Sequence, residues 1–165
     1  MKQKVFIILL IGAVLLLVVY WMGPRPSSLS LNTGLPSISI APEQSDEFIR
    51  EKESVVAHIK PDNEAQIIWA DSLHKNKTEY CIVYLHGFSA SQGEGIPVHK
   101  NIAKKFGCNL YLPRLYAHGL TEKEPLLEFT EEKYLESAKE AIAFGKNLGQ
   151  KILLMGTSTG GTLAL

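Results

Sequence analysis

Short apolar runs alternate with amphipathic stretches over the second half of the chain, and this alternation constrains the fold more than any other feature of the sequence. Three runs are typical of buried strands: YCIVYLHGF (80–88), CNLYLP (108–113) and KILLM (151–155). The stretches between them, GIPVHKNIAKKFG and TEEKYLESAKEAIAFGKNLG, carry apolar residues at helical spacing. Continuously apolar strands joined by helices form parallel sheets covered on both faces. The sequence therefore predicts an α/β fold with a mainly parallel sheet and flanking helices.

Residues that start and stop helices support this assignment. Gly107 follows the first amphipathic stretch as a C-terminal stop, and Pro97 is tolerated in its first turn. Thr130 is placed as the N-cap of the second helix, and Gly149 is predicted to close it. Upstream, DEFIREKESVV is predicted as a short helix and AQIIWA (65–70) as a further strand.

The pentapeptide GTSTG directly follows the last apolar run and places Ser158 between two glycines. A serine hydroxyl becomes a nucleophile only when a base takes its proton and the side chain projects toward substrate. A sharp strand-to-helix turn projects it but crowds the positions two before and two after, where Gly156 and Gly160 would remove the clash. The Thr159 N–H would then face the developing negative charge. An ordinary glycine-rich turn is the alternative, and the preceding apolar strand favours the nucleophile elbow.

A second oxyanion donor is expected from another loop, and HGFSAS follows the first strong strand in the right order. Phe88 would offer its backbone N–H, and Gly87 would let the chain turn sharply. His86 is predicted to brace this loop; a strand-end histidine bonded to backbone is the alternative for it. His86 is not the candidate base.

The motifs LHGFSAS, NLYLPRLYAHG and LLMGTSTGG, in this order and at these separations, resemble the α/β-hydrolase superfamily. Within it, they resemble the carboxylesterase, monoacylglycerol lipase and serine aminopeptidase-like branch. The resemblance covers about residues 67–165 and implies the N-terminal part of such a domain. By matching motifs it implies that Ser158 is the nucleophile and that Phe88 and Thr159 are the oxyanion donors.

The segment PRLYAHG resembles the family's Pro-x-x-x-Gly-His-Gly loop, with Ala117 in place of the first glycine. His118 in this loop is predicted to be a loop brace rather than a catalyst. The family's catalytic order is nucleophile, acid and then histidine, whereas all five histidines here precede Ser158. We therefore expect the chain to be the N-terminal part of a longer enzyme. Alone it would be inactive and, with KILLM as an exposed apolar edge, prone to aggregate.

The N-terminal segment Val5–Met22 contains 18 residues without a charge, which is long enough to cross a bilayer as a helix. Lys2 and Lys4 precede it and only Arg25 follows closely, so the positive-inside bias predicts a cytoplasmic N-terminus with the rest of the chain on the periplasmic or extracellular side. The flank GPRPSS lacks a small-residue cleavage site, which favours an uncleaved signal anchor over a cleaved signal peptide. A buried core helix is the third alternative.

The predicted organisation has three parts, which are residues 1–23 as signal anchor, 24–60 as tether with a possible short helix, and 61–165 as the α/β-hydrolase domain. The first part of the tether is rich in Pro, Ser and Gly. Cys81 and Cys108 each enter a predicted strand, so buried free thiols are expected rather than a disulfide.

Charge and composition exclude some classes of partner. Lys+Arg and Asp+Glu are equal at 17 each, and no basic cluster with interleaved aromatics is present, so no nucleic-acid partner is expected. No metal or organic cofactor is implied. The predicted function is hydrolysis of an ester or lipid through an acyl-enzyme on Ser158. An acyltransferase and a non-catalytic membrane-anchored binding domain remain as alternatives. The sequence does not indicate the oligomeric state.

Overall fold

The structure is a computed structural model in which residues 2–23, 25, 33–122 and 124–165 are described. Part of the predicted tether, residues 24 and 26–32, lies outside these residues. The chain divides into two compact units, residues 1–31 and residues 32–165. Each unit is considered separately below.

The first unit contains helix α1, Lys2–Met22. Its apolar span, Gln3–Met22, has a mean hydropathy of 3.0, and none of it is buried. A bilayer's hydrocarbon core needs roughly 20 apolar residues in a helix. By length and composition, α1 can therefore cross a membrane.

The second unit contains four helices and four strands among its described residues. In chain order they are α2 (Ser45–Ser54), β1 (Gln66–Ile68), β2 (Thr78–Leu85), α3 (Val98–Phe106), β3 (Asn109–Leu112), α4 (Glu131–Gly145), β4 (Gly149–Gly156) and α5 (Thr159–Leu163). Short 3-10 turns lie at Pro42–Gln44, Gln92–Gly95 and Pro125–Glu128. The predicted strands and helices thus all form, with bounds shifted by a few residues.

The four strands form one sheet in the order β1-β3-β2-β4. Strand β2 is parallel to both neighbours, pairing Val83 with Tyr111 of β3 and with Leu154 of β4. Strand β1 is antiparallel to β3. The α/β class is confirmed, and the sheet is mixed rather than mainly parallel. Strand β1 can run opposite to the other strands because its connection to β2 contains no helix. Only parallel strands require a long crossover connection.

Successive side chains of β2 point to opposite sides of the sheet, and helices pack on both sides of this strand. Helices α2 and α4 cover one face, where Cys81, Val83 and Leu85 pack with Tyr134 and Phe144. Helix α3 covers the other face. The side chains buried there are Ile82, Tyr84, Ala103, Cys108, Leu110 and Leu112. Residues 81–85 of the central strand are consequently buried, as its apolar sequence predicts.

The compact unit begins well before residue 61, where the sequence-based boundary lies. Ile38 and Ile40 pack against the core, and Ile49 of α2 is buried in it. The Glu53 carboxylate pairs with the Arg114 guanidinium at 2.9 Å, and the two side chains are 10% and 9% exposed. Apolar residues scattered in a polar stretch thus supply one layer of the domain.

Two of the three predicted helix-end signals are confirmed. Gly107 caps α3 in the left-handed conformation with φ 59°, and the Thr130 hydroxyl accepts from the Lys133 N–H at 3.3 Å. The prediction for Gly149 is wrong, because α4 already ends at Gly145 and Gly149 begins β4. A Cβ at Gly149 would overlap the backbone nitrogen of Cys81, so this glycine permits close approach of two strands.

Strand β4 pairs only with β2 among the described strands. Leu153 and Leu154 are 43% and 37% exposed and, as successive residues, lie on opposite faces. Cys81 and Cys108 are both buried and free, in agreement with the prediction. Burial raises the pKa of the Cys81 thiol to about 12, with the neighbouring Cys108 adding to the shift.

Candidate functional site

The two predicted loops leave the sheet side by side at one edge. Because β2 and β4 are parallel and pair Leu85 with Gly156, the segments that follow them, 86–89 and 157–160, start at the same level. The Thr157 N–H donates to the Leu85 carbonyl at 3.2 Å, which joins the two segments directly. The carboxyl ends of parallel strands are the usual place for sites in α/β folds.

Ser158 has an unusual backbone conformation, with φ 50° and ψ −119°. The Gly160 N–H donates to the Thr157 carbonyl at 2.8 Å, which closes a tight turn with Ser158 at its first central position. That position normally belongs to glycine when φ is positive, and a side chain there costs about 1–3 kcal/mol. The turn joins β4 to α5, so Ser158 occupies a strained strand-to-helix turn. Ser158 is exposed to solvent.

The two flanking glycines are needed for space. A Cβ at Gly156 would overlap the backbone of Gly160, and a Cβ at Gly160 would overlap the Leu85 and His86 carbonyl oxygens. The neighbouring Gly161 differs, because a Cβ there would lie 3.7 Å from the Gly156 carbonyl oxygen, an ordinary contact. The crowding is therefore specific to the positions two before and two after Ser158.

His86 makes two hydrogen bonds to backbone. Its Nδ1 donates to the Gly87 carbonyl at 2.9 Å, and its Nε2 accepts from the Leu115 N–H at 3.3 Å. Burial lowers the pKa of His86 to about 4, and the nearby His118 and Arg114 also lower it. The ring is thus neutral at pH 7 and joins the loop after β2 to the segment after β3, as a brace would.

His118 is held in the same way. Its Nδ1 donates to the Tyr116 carbonyl at 2.6 Å, and its Nε2 accepts from the Ser89 N–H at 2.9 Å. The ring stacks on Tyr134 and meets Phe88 edge to face, with centroids 5.2 and 5.5 Å apart. Burial is the main cause that lowers its pKa. Neither ring nitrogen of His118 remains for proton transfer with Ser158.

The other three histidines also lack a hydrogen bond to Ser158. His99 is buried and bonds the Gln92 carbonyl through Nε2, whereas His74 pairs with Asp71. His58 is exposed. Among the residues that the structure describes, none forms a hydrogen bond with the Ser158 hydroxyl. The arrangement therefore presents an exposed serine that none of the five histidines hydrogen-bonds.

The two predicted oxyanion donors lie on the two adjacent segments, Phe88 after β2 and Thr159 at the start of α5. Their backbone N–H groups have no hydrogen-bond partner within the described part of the chain. Gly87, in contrast, donates its N–H to the Glu94 carboxylate at 2.8 Å. Sequence reasoning missed Glu94; its only sequence signal is an acidic residue in a glycine-rich stretch soon after HGFSAS.

Residue 157 is also held in place. The Tyr84 hydroxyl, on β2, lies 2.9 Å from the Thr157 hydroxyl and 3.5 Å from the Glu94 carboxylate.

Over residues 2–23, 25, 33–122 and 124–165, no three His, Cys, Asp or Glu side chains converge as a metal site would require. The searches against protein-family models and curated proteins found no match to the chain.

Proposed function

We propose that the protein is a serine hydrolase of the carboxylesterase type, built on the α/β-hydrolase plan that its motifs resemble, and that it acts on an ester or lipid. Ser158 is the nucleophile, and the N–H groups of Phe88 and Thr159 are the oxyanion donors. No metal or organic cofactor takes part in this scheme.

The conformation of Ser158 is the observation that carries the proposal. A serine at φ 50° in a tight turn between a buried-sheet strand and a helix stores strain that an ordinary connection avoids. Gly156 and Gly160 make room for that turn. A strained turn of this kind presents a serine hydroxyl at the top of the sheet in α/β-hydrolases.

The proposed reaction follows from these groups. The Ser158 Oγ attacks the ester carbonyl carbon and gives its proton to a base, while the carbonyl oxygen becomes negative and accepts from the Phe88 and Thr159 N–H groups. Collapse of this intermediate expels the alcohol, which takes the proton, and leaves an acyl-enzyme. Water then attacks the acyl group, which releases the acid and restores Ser158.

The base is a requirement that the five histidines of this sequence do not meet. His86 and His118 use both ring nitrogens for hydrogen bonds to backbone groups of the loops around the site. The proposal therefore requires a base that none of these five histidines supplies in this arrangement.

Hydrolysis of a p-nitrophenyl ester by the protein isolated from its own cells tests the proposal. Ser158→Ala should lower kcat by about 1,000-fold or more, because the nucleophile is lost. Ser72→Ala, which changes an exposed serine away from the turn, should leave the rate unchanged. Equal rates for the Ser158→Ala variant and the unchanged protein would contradict the nucleophile and favour the non-catalytic binding domain.

We also propose that α1 is an uncleaved signal anchor with its N-terminus in the cytoplasm and the second unit on the periplasmic or extracellular side. The apolar span of α1 and the basic residues before it support this orientation. Protease added to intact cells or spheroplasts should digest the second unit. Protection of the Ser158 region would contradict the orientation, and a soluble form starting near Ser27 would favour a cleaved signal.

A further inference from the structure

Three successive backbone amides at the start of the loop after β2 have different partners. The Gly87 N–H donates to the Glu94 carboxylate at 2.8 Å, and the Ser89 N–H donates to the His118 Nε2 at 2.9 Å. The Phe88 N–H between them has no hydrogen-bond partner among the described residues. Two side-chain acceptors thus hold the amides on either side of the one that stays free.

The two acceptors come from different parts of the fold, and each is itself held. Glu94 lies in the 3-10 turn Gln92–Gly95, which is fixed because the buried Gln92 side chain donates to the Asp62 and Glu64 carbonyls at 3.1 and 2.9 Å. His118 donates from Nδ1 to the Tyr116 carbonyl. The loop is consequently bound by side chains from two separate segments, the 3-10 turn with Glu94 and the segment with His118.

The loop needs such anchors because its backbone is strained. Ser89 has φ 57°, a left-handed conformation that is unfavourable for a residue with a side chain. A hydrogen bond from a backbone N–H to a carboxylate is stronger than one to a neutral acceptor. The two anchoring bonds therefore favour the observed conformation of the loop.

We propose that Glu94 and His118 are positioning residues that fix the Phe88 N–H as an oxyanion donor by binding the amides on either side of it. This role rests on the proposed hydrolase function. Glu94 reaches further, because the Tyr84 hydroxyl lies 3.5 Å from its carboxylate and 2.9 Å from the Thr157 hydroxyl. The same carboxylate is thus connected to the residue that precedes Ser158.

Amide hydrogen exchange measured by NMR tests the anchoring without any need for activity. In the unchanged protein, Phe88 should exchange fastest of the three amides. Glu94→Ala should speed the exchange of Gly87 by about 10- to 100-fold, the loss expected for a charge-assisted hydrogen bond. Glu94→Gln, whose amide oxygen can still accept, should stay within about threefold. Unchanged exchange at Gly87 in Glu94→Ala would overturn the anchoring.

Ester hydrolysis by the protein from its own cells tests the positioning role. Glu94→Ala should lower kcat by about 10- to 100-fold with KM within about threefold, because a misplaced donor acts on the transition state rather than on substrate binding. Glu94→Gln should recover most of the rate, and Glu94→Asp, which keeps the charge but withdraws the carboxylate, should not. Glu43→Ala, an exposed glutamate on another turn, is the matched control.

His118→Phe provides the second arm, because it keeps an aromatic ring against Phe88 and Tyr134 and removes the acceptor for Ser89. It should speed Ser89 exchange and lower kcat in the same way. Ser158→Ala is measured in parallel to separate the two proposals. Activity that depends on Ser158 but not on Glu94 or His118 overturns the positioning role alone, whereas activity independent of Ser158 overturns the proposed function as well.

Discussion

The loop after β2 and the turn after β4 start side by side at one edge of the sheet, but they are held by opposite means. Polar side chains hold the first: His86, Glu94 and His118 all bond its backbone. The second depends on close backbone packing, which is possible because Gly156 and Gly160 have no side chains. Each contains a serine in a positive-φ conformation.

This difference explains why histidines near the candidate site are not bases. A loop whose amides and carbonyls are bound by side chains uses those side chains for structure, so His86 and His118 stay neutral and occupied. In the turn after β4, the Thr157 hydroxyl bonds the Tyr84 hydroxyl, whereas the Ser158 hydroxyl has no partner among the described residues. The histidines that brace the first loop and the proposed nucleophile thus lie on two neighbouring segments.

Filling the space around Ser158 should have the largest effect on folding. Gly160→Ala places a methyl group on the Leu85 and His86 carbonyl oxygens, so we expect a loss of about 3–5 kcal/mol in the free energy of unfolding, measured in urea. Gly161→Ala is the matched control and should change stability by less than about 1 kcal/mol. Equal losses for the two variants would mean that the turn is not crowded as described.

Acid should weaken the histidine-braced loop. The pKa of His86 is about 4 when folded and 6.5 in its ordinary range, so the unfolded chain binds the proton more readily between these values. The contribution of His86 should therefore be constant above about pH 7 and should lower stability by roughly 3 kcal/mol as the pH drops from 6.5 toward 4. Unfolding curves over this range measure the slope. His58→Gln, at an exposed position, should keep the slope and His86→Gln should reduce it; a slope unaffected by His86→Gln would contradict the assignment.

The hydroxyl pair between β2 and the turn after β4 should have a moderate effect. Tyr84→Phe removes the bond to the Thr157 hydroxyl and leaves the ring packing, so we expect a loss of about 1 kcal/mol. Urea unfolding measures it. The loss should be smaller in a Thr157→Val background, where only the 3.5 Å contact with the Glu94 carboxylate remains; an undiminished loss there would contradict the bond to Thr157.

The smallest effect is expected at Ala117, where the resembled family has glycine. Ala117 has φ 59°, a conformation that glycine adopts without strain. Ala117→Gly should therefore raise the free energy of unfolding by about 0.5 kcal/mol. The variant relieves the strain of the left-handed conformation, and the greater conformational freedom of glycine in the unfolded chain offsets part of that gain. A lower melting temperature would contradict this balance.

Much of the fold is predictable from local pattern, because strand and helix periodicities are properties of neighbouring residues. The order of elements, the Thr130 cap and the Gly107 stop are examples. The antiparallel pairing of β1 is not predictable in this way, since it depends on which strand β1 meets across the sheet. The packing of Ile38 and Ile40 onto the core is likewise a contact between distant parts of the chain.

The candidate site also has a part that local pattern predicts and a part that depends on contacts between distant segments. Ser158, Gly156 and Gly160 form one local turn, so their spacing alone indicates its geometry. Glu94 was missed because its bond to the Gly87 N–H depends on how the 3-10 turn folds back over the loop. No spacing rule in the sequence identifies that acceptor. Gly149 was misassigned because its need for space comes from a neighbouring strand.

Covalent labelling of Ser158 tests the central claim most directly. The protein isolated from its own cells is treated with a fluorophosphonate probe, and the modified residue is identified by mass spectrometry. The account predicts rapid labelling at Ser158 that Ser158→Ala abolishes. Residues 1–165 alone should label no faster than their Ser158→Ala variant, because none of their five histidines hydrogen-bonds the Ser158 hydroxyl. A folded protein from its own cells that leaves Ser158 unmodified would contradict the claim.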